Sequence, residues 1–266
     1  MVTDPITSTT NPRIKALVRL RDRRERDSTG RFVIEGYREL SRAIQAAIRI
    51  ETLYVCPALY LGGNEAALVD GAQRCGAEII AVTEEPFRKA SYRERPEGLL
   101  AVAPRFGTGV DRIPVSGNPL VLVAESIEKP GNLGTMLRTA EAAGASGVIV
   151  ADPTTDPFNP NVVRASLGTL FTVPLAVTDS SAAVAHLRTT GIRILAATPA
   201  GTEAYYAVDM TGPVAVVIGS EQYGLSHVWL DAADAVVVIP MPGSVDSLNA
   251  AMAAGILLFE ALRQRA

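Results

Sequence analysis

The chain has 266 residues and a mass of 28.1 kDa, and at ~150 residues per domain this length predicts two domains. Apolar residues make up 48% of the chain and charged residues 20%, which excludes a disordered protein. No apolar run reaches the ~18 residues of a membrane span, and the N-terminal segment has no apolar signal core. Cys56 and Cys75 are too few for a disulfide framework and too far apart for a CxxC site. We therefore expect a cytoplasmic protein with no membrane partner.

The first half of the chain alternates predicted helices and strands. Asn11-Pro12 is typical of a helix start, and the helix is expected to end at Ser28–Gly30. Further elements are a strand from residue 31, a helix at 38–47, a strand at 52–55, a helix at 65–75, and strands at 78–82 and 98–103. This pattern predicts a compact α/β domain over residues 1–105. Residues 106–118 are rich in Gly and Pro and are predicted to form a linker.

The second half, residues 119–266, contains short apolar runs separated by helical stretches. The predicted strands are 119–124, 147–151, 171–177, 192–197, 213–218 and 235–239. The predicted helices are 135–143, 181–190 and a long final one at 246–264. Continuous apolar strands that alternate with helices indicate a mainly parallel sheet covered on both faces. Ligands bind such sheets at the carboxyl ends of the strands.

Charge is unevenly distributed between the two halves. Residues 1–105 hold 17 basic and 14 acidic residues, a net charge of +3, whereas residues 106–266 have a net charge of −6. Ten of the basic residues fall within residues 13–42. This asymmetry favours a first half that meets a polyanion, with a solvated helix face as the alternative.

Three segments that directly follow predicted strands carry polar residues near glycines. In the first, at 128–138, Asn132 and Arg138 either serve a ligand or are an N-cap and an exposed helical cation. In the second, at 219–224, Glu221 lies in a turn that an ordinary loop explains equally well.

In the third segment, at 239–249, Ser247 and Asn249 suit a helix start. Met241 and Leu248 lie in the same segment, and their apolar side chains suit a purine ring and a thioether better than a phosphate.

Several common functional motifs are absent from the sequence. It has no GxxxxGK[ST] phosphate loop, no GxGxxG after a strand and no GxSxG elbow. His186 and His227 lie in no metal-ligand spacing, so we expect no metal site.

Taken in order, the three segments resemble the signatures of the SpoU (TrmH) family of the SPOUT superfamily, S-adenosylmethionine-dependent RNA ribose 2′-O-methyltransferases. The resemblance spans residues 119–263 and rests on NLGTMLRTAEAAGA, IGSEQYGLS and IPMPGSVDSLNAA. Glu125 stands where the family commonly has Asp. The first half resembles, more loosely, the L30e-like substrate-binding domain of many members. The resemblance implies an α/β-knot fold with a deep trefoil knot, and a homodimer whose active site lies near the subunit interface.

The resemblance also implies roles for individual residues. The catalytic set would be Arg138, Asn132, Glu221, Ser247 and Asn249. The S-adenosylmethionine site would be formed by Thr198, Pro199, Gly201, Ile218, Gly219, Ile239, Met241 and Leu248. Phosphates of a structured RNA would meet Arg13, Lys15, Arg19, Arg21, Arg23, Arg24, Arg26 and Arg31. Because a guanidinium is normally a fixed cation, we expect Arg138 to bind phosphate and stabilise oxyanion charge, with the family's general-base role left open.

The implied activity is 2′-O-methylation of 23S ribosomal RNA, with resistance to a ribosome-targeting antibiotic as one biological outcome. A transfer RNA ribose methyltransferase is an alternative within the same class. An alternative of a different class is a non-catalytic RNA-binding factor of ribosome assembly on a degenerate methyltransferase scaffold.

Overall fold

The structure is a computed structural model that describes residues 4–266. Its helices are α1 (Pro12–Arg19), α2 (Arg23–Thr29), α3 (Tyr37–Gln45), α4 (Glu65–Arg74), α5 (Glu84–Ala90), α6 (Pro130–Ala142), α7 (Pro160–Ala165), α8 (Ser180–Thr189), α9 (His227–Ala232) and α10 (Ala250–Arg265). Its strands are β1 (Arg31–Glu35), β2 (Thr52–Val55), β3 (Glu78–Ala81), β4 (Leu99–Pro104), β5 (Leu120–Glu125), β6 (Gly147–Ala151), β7 (Leu175–Thr178), β8 (Arg193–Ala197), β9 (Glu203–Ala204), β10 (Val214–Ile218) and β11 (Ala235–Val238). None of these helices has the length and apolar character that crossing a bilayer requires.

The chain divides into two compact units. The first runs to Phe106 and also contains Asp156–Thr172, and the second consists of Gly107–Thr155 with Val173–Ala266. The sequence predicted that residues 156–172 belong to the second domain, residues 119–266. In the structure their α7 packs on β1 of the first unit, a long-range pairing that local sequence patterns do not report.

The first unit is built on a four-stranded sheet in the order β1-β4-β2-β3. Strand β4 runs antiparallel to both of its neighbours, and β2 and β3 are parallel. Helix α1 begins where the sequence predicts, because the Asn11 side chain accepts a hydrogen bond from Arg13 N (2.9 Å) and Pro12 follows. Its buried residues Ile14 and Leu17 pack into a core with Phe87 and other apolar side chains.

The second unit is built on a seven-stranded sheet in the order β7-β6-β5-β10-β8-β11-β9, and every strand pair in it is parallel. Its central strands β5 and β10 are buried along their whole length, which confirms the predicted parallel α/β sheet. Because neighbouring parallel strands end at one edge, the segments after β5, β8, β10 and β11 share that edge. The trefoil knot stays a prediction.

Some predicted elements have different bounds in the structure. The first predicted helix is two helices, since Asp22 caps a second one by accepting from Arg24 N (2.9 Å). The predicted strand 171–177 begins only at Leu175, after Pro174, and is preceded by a 3-10 turn. The final helix begins at Ala250 rather than residue 246. Helices α5, α7 and α9 were not predicted, because six or seven residues show little periodicity.

Candidate active site

Three turns at the carboxyl edge of the parallel sheet meet through side-chain hydrogen bonds. Asn132 Nδ2, at the start of α6, donates to Glu221 Oε1 (2.6 Å) in the turn after β10. Asn249 Nδ2, in front of α10, donates to Glu221 Oε1 (2.7 Å) and to Asn132 Oδ1 (3.1 Å). The structure therefore brings together three of the five predicted catalytic residues, one from each segment.

Lys129 adds a positive charge to this cluster. Its Nζ donates to Glu221 Oε2. The hydrogen bond from Lys129 lowers the pKa of Glu221 and raises the pKa of Lys129. Glu221 is therefore an acceptor-only carboxylate at neutral pH, and it orients the two amides that donate to it. Lys129 was not among the site residues that the sequence predicted.

Of the two asparagines that the sequence offered as helix N-caps, the structure shows only Asn249 in that role. Helix α6 is preceded by Lys129 as its N-cap, so Asn132 lies inside the first turn and its amide is committed to Glu221. Asn249 is the N-cap of α10, accepting from Ala251 N (3.0 Å) and Met252 N (3.4 Å). Asn249 thus uses its oxygen for the helix and its amide protons for the cluster.

A cavity of about 330 Å³ opens beside the cluster, a volume within the range of small-molecule sites. Its wall includes seven of the eight residues predicted for the cofactor: Thr198, Pro199, Ile218, Gly219, Ile239, Met241 and Leu248. Ser247 and Glu221 also line it, so Glu221 belongs to both the cavity and the polar cluster. The wall is largely apolar and also presents backbone polar groups of three loops.

Two glycines allow the loops to close around this cavity. A Cβ on Gly219 would lie 2.3 Å from the Gly224 carbonyl, so only glycine permits this turn. Gly201, the eighth predicted residue, is not in the wall. A Cβ there would lie 2.5 Å from the Val237 carbonyl, so Gly201 acts on the site through the packing of its loop on β11.

Arg138 lies on α6, two turns after its start, and is solvent-exposed. Within residues 4–266 its guanidinium has no hydrogen-bond or ion-pair partner, and it does not line the cavity. The structure therefore presents Arg138 as an unpaired surface cation on the helix that also carries Asn132.

The comparisons with known proteins agree with these signatures. The model of the SpoU rRNA methylase family matches residues 119–259, more than half of the chain. The chain belongs to this family. Residues 11–101 match an MRM3-like substrate-binding domain, which is consistent with the predicted domain type of the first half.

Relatives of this SpoU family member match over nearly all of its length. It is 34% identical to a 23S rRNA (uridine(2479)-2′-O)-methyltransferase of Streptomyces viridochromogenes, over 92% of this chain and 87% of that protein. A crystal structure of an RNA 2′-O ribose methyltransferase is 40% identical, with a TM-score of 0.85 over 98% of this chain and 99% of that one. The AdoMet-bound rRNA methyltransferase from Sinorhizobium meliloti is 32% identical, with a TM-score of 0.90 over 98% and 97%.

A buried network in this SpoU protein holds the segment that follows the Gly219–Gly224 turn. Glu125, 3% exposed at the end of β5, accepts from Ser226 N (2.9 Å) and lies 3.3 Å from Ser180 Oγ, which donates to Asp152 Oδ2 (2.5 Å). Ser180 Oγ also accepts from Trp229 Nε1 (2.8 Å). Glu125 therefore anchors the chain just after the Gly219–Gly224 turn, a role that only its position at a strand end could have suggested.

The structure contradicts the predicted RNA-binding role of one arginine, Arg26. Arg26 is 1% exposed, and its Nε is paired with Asp156 Oδ2 at 2.8 Å. Its Nη1 donates to Leu20 O and Arg21 O (2.9 and 2.8 Å). A guanidinium enclosed in this way cannot meet a phosphate, so Arg26 is a structural residue of the first unit.

The other basic residues of the predicted set are exposed. Four of them are ion-paired at the surface, Arg13 with Glu78, Arg19 with Glu25, Arg23 with Asp27 and Arg31 with Glu51. Exposed pairs of this kind are worth ~1 kcal/mol or less, so they can be exchanged for phosphate contacts. Arg21 donates to three carbonyls, those of Lys89, Ala90 and Ser91.

The side chains of the remaining two residues of the predicted RNA-binding set, Lys15 and Arg24, have no hydrogen-bond or ion-pair partner among the described residues. Across residues 4–266, no three His, Cys, Asp or Glu side chains are grouped as a metal site would require.

Proposed function

We propose that the protein transfers the methyl group of S-adenosylmethionine to a ribose 2′-hydroxyl of RNA, and that 23S ribosomal RNA is the substrate. The observation that carries this proposal is the position of Glu221, which lines the apolar cavity and also holds Asn132 and Asn249. A methyl donor in the cavity and a sugar at the amides would then meet at one place. Alignment of two reactants makes a large contribution to the rate of such a transfer.

The cavity suits S-adenosylmethionine chemically. Ile218, Met241 and Leu248 provide apolar surface for an adenine ring and for the methylene groups beside the sulfur, and backbone groups of the loops are available to base edges. When bound, the cofactor supplies an electrophilic methyl group on a sulfonium. The protein residues then have two tasks, to orient the hydroxyl and to stabilise the charge that develops on its oxygen.

The polar cluster, Arg138 and Ser247 divide these tasks. Glu221 accepts a hydrogen bond from the Asn132 amide and so fixes the orientation of that side chain in the first turn of α6. Arg138 is free to bind a phosphate of the RNA and to stabilise the oxyanion, since a guanidinium stays protonated at neutral pH. Ser247, exposed on the cavity wall, supplies a further hydroxyl for hydrogen bonding to the ligand.

The ribosomal substrate is supported by the relatives. The Streptomyces viridochromogenes protein, which acts on 23S rRNA, matches over 92% of this chain, including the first unit. A transfer RNA substrate is the alternative. A ribosomal substrate would place the protein in the cytoplasm, and antibiotic resistance is one outcome that methylation of a drug site would have.

Incubation with methyl-labelled S-adenosylmethionine and ribosomal RNA tests the activity. We expect labelled dinucleotides that resist alkali, because a 2′-O-methyl group blocks cleavage of the adjacent phosphodiester. Label found only on bases or protein would contradict the proposal. Competition with transfer RNA separates the two substrates, and absence of cofactor binding in calorimetry would favour the non-catalytic assembly factor.

Gly219→Ala is expected to weaken cofactor binding at least about tenfold, because its Cβ would lie 2.3 Å from the Gly224 carbonyl and the turn would have to move. Gly212→Ala is the matched control, since a Cβ there meets nothing within 4 Å. Calorimetric titration with S-adenosylmethionine measures both variants. Equal affinity of the two would show that the turn does not shape the site.

Asn249→Asp is expected to separate the two roles of Asn249. Aspartate is an equally good N-cap, so the start of α10 should be kept and the protein should stay folded. The donor to Glu221 is replaced by a second carboxylate oxygen, and we expect turnover to fall about 10- to 100-fold, as loss of a charge-assisted hydrogen bond implies. Methyl-transfer kinetics and urea unfolding measure the two effects. Unchanged turnover would exclude a role for the amide.

We further propose that the active form is a homodimer. Helix α10 buries its Ala254 and Ala261 but exposes Met252, Phe259 and Leu262, which are 61%, 49% and 40% exposed. This apolar stripe is the kind of surface that a second copy covers. The unpaired Arg138 agrees with a site that is completed at a subunit interface.

Phe259→Asp is expected to shift the protein from dimer to monomer in analytical ultracentrifugation and to lower methyl transfer in parallel. A buried unpaired carboxylate opposes association by several kcal/mol. Leu61→Asp, at a residue 79% exposed in the first unit, is the control. A wild-type protein that sediments as a monomer with full activity would contradict the dimer.

A further inference from the structure

The first unit contains a cavity of about 620 Å³ that no residue of the candidate active site lines. It lies between the start of α3, the segment after α5 and the end of α7. Its lining includes one aromatic residue, Tyr92, and the arginines Arg95 and Arg164. None of these three residues was among the RNA-binding residues that the sequence predicted.

Tyr92 is held in one position although it remains 39% exposed. Its backbone N–H donates to Glu35 Oε2 (2.7 Å), and its hydroxyl accepts from Asn161 Nδ2 (3.0 Å). The Arg21 guanidinium lies 5.7 Å from the ring centroid, itself fixed by three backbone carbonyls. An exposed ring that is already ordered loses little conformational entropy when a ligand stacks on it.

The charges that line the cavity favour binding of an anion at Arg95 and Arg164. Arg95 and Arg164 are exposed, and among the described residues neither guanidinium has a partner. Arg93 is instead paired with the buried Glu39 (2.8 Å) and with Glu97, so its charge is not available to a ligand. Glu94 also lines the cavity, which leaves one carboxylate against two unpaired cations.

The backbone at the wall is strained. Leu167 has φ 52° and the next residue, Gly168, has φ 85°, and left-handed backbone is rare for a leucine. Leu167 lines the cavity, and a Cβ on Gly168 would lie 3.0 Å from Arg42 Cβ of α3. The strained turn thus holds the end of α7, with Arg164, against α3. Such strain is found most often at ligand sites.

We propose that this cavity binds one unpaired nucleotide of the RNA substrate, with its base stacked on Tyr92 and its phosphates on Arg95 and Arg164. The inference rests on the proposed function and specifies how the first unit reads its RNA. An aromatic ring flanked by arginines is the usual chemistry of single-stranded nucleotide recognition. The site selects RNA with an unstacked loop or bulge over a continuous duplex.

Fluorescence anisotropy of the full-length protein with a short single-stranded RNA, and with the duplex of the same sequence, tests this site. Tyr92→Leu and the double variant Arg95→Glu/Arg164→Glu should each weaken single-strand binding about tenfold. Tyr92→Phe, which keeps the ring, and Arg74→Glu, a charge reversal at an exposed arginine of α4, should bind like wild type. Affinity of the double variant equal to that of Arg74→Glu would overturn the proposal, as would an equal loss on the duplex.

Methylation kinetics distinguish failure of this site from failure of the proposed function. We expect both cavity variants to raise the KM for RNA about tenfold with kcat and cofactor affinity unchanged. If the wild type transfers no methyl group yet binds single-stranded RNA through Tyr92, the proposed function fails and the site stands. If methylation proceeds with the same KM in wild type and both variants, the site fails and the proposed function stands.

Discussion

Arg138→Ala is expected to lower the turnover of methyl transfer by about 10²- to 10³-fold or more, the effect of removing a group that stabilises developing oxyanion charge. Stability should be unchanged, because the exposed guanidinium has no partner within residues 4–266. Steady-state kinetics with ribosomal RNA and thermal unfolding measure the two quantities. The combination of lost turnover and intact stability is what a catalytic role requires and a structural role excludes.

Arg138→Lys is the informative companion. Lysine keeps the charge but lacks the planar donor array of a guanidinium, so we expect partial recovery of RNA affinity with little recovery of turnover. Turnover of Arg138→Ala within a few-fold of wild type would remove Arg138 from the mechanism.

Arg26→Ala is expected to lower the free energy of unfolding by about 3–5 kcal/mol, since it removes one member of a buried ion pair and leaves Asp156 6% exposed and only partly compensated. The backbone carbonyls of Leu20 and Arg21 lose their donor as well. Urea unfolding measures the loss.

Arg24→Ala is the matched control for Arg26→Ala, because it lies on the same helix α2 but is exposed and without a side-chain partner among the described residues. We expect it to unfold like wild type and to bind RNA somewhat more weakly through one lost phosphate contact. Arg26→Ala that is as stable as Arg24→Ala would contradict the structural role of Arg26.

The sequence predicts most of the fold because the apolar runs are continuous. Strands β2 and β6 have the predicted bounds, Thr52–Val55 and Gly147–Ala151, since a strand buried on both faces contains little but apolar residues. The short helix α7 escaped prediction although Asn159-Pro160 repeats the signature of Asn11-Pro12. Its packing in the first unit depends on contacts distant in sequence, which periodicity does not report.

The sequence predicted those residues of the candidate site that are polar and follow the carboxyl end of a strand. Asn132, Glu221 and Asn249 each follow a strand of the parallel sheet, and topology alone brings such positions together. Lys129 was not selected, because a charged residue beside a turn is usually a solvated one. Glu125 was noted only as a departure from the family's Asp, because its hydrogen bond to Ser226 N joins residues distant in sequence. Arg26 was assigned to RNA because sequence shows charge but not burial, and its partner Asp156 lies 130 residues away.

Mapping 2′-O-methylated nucleotides on ribosomal RNA tests the central claim most directly. The map is compared between cells that contain the protein, cells that lack it and cells with only the Arg138→Ala variant. A ribose methyl group on 23S ribosomal RNA should be present in the first and missing from the other two. Identical methylation maps in all three would contradict the assignment of this site to ribose methylation of ribosomal RNA.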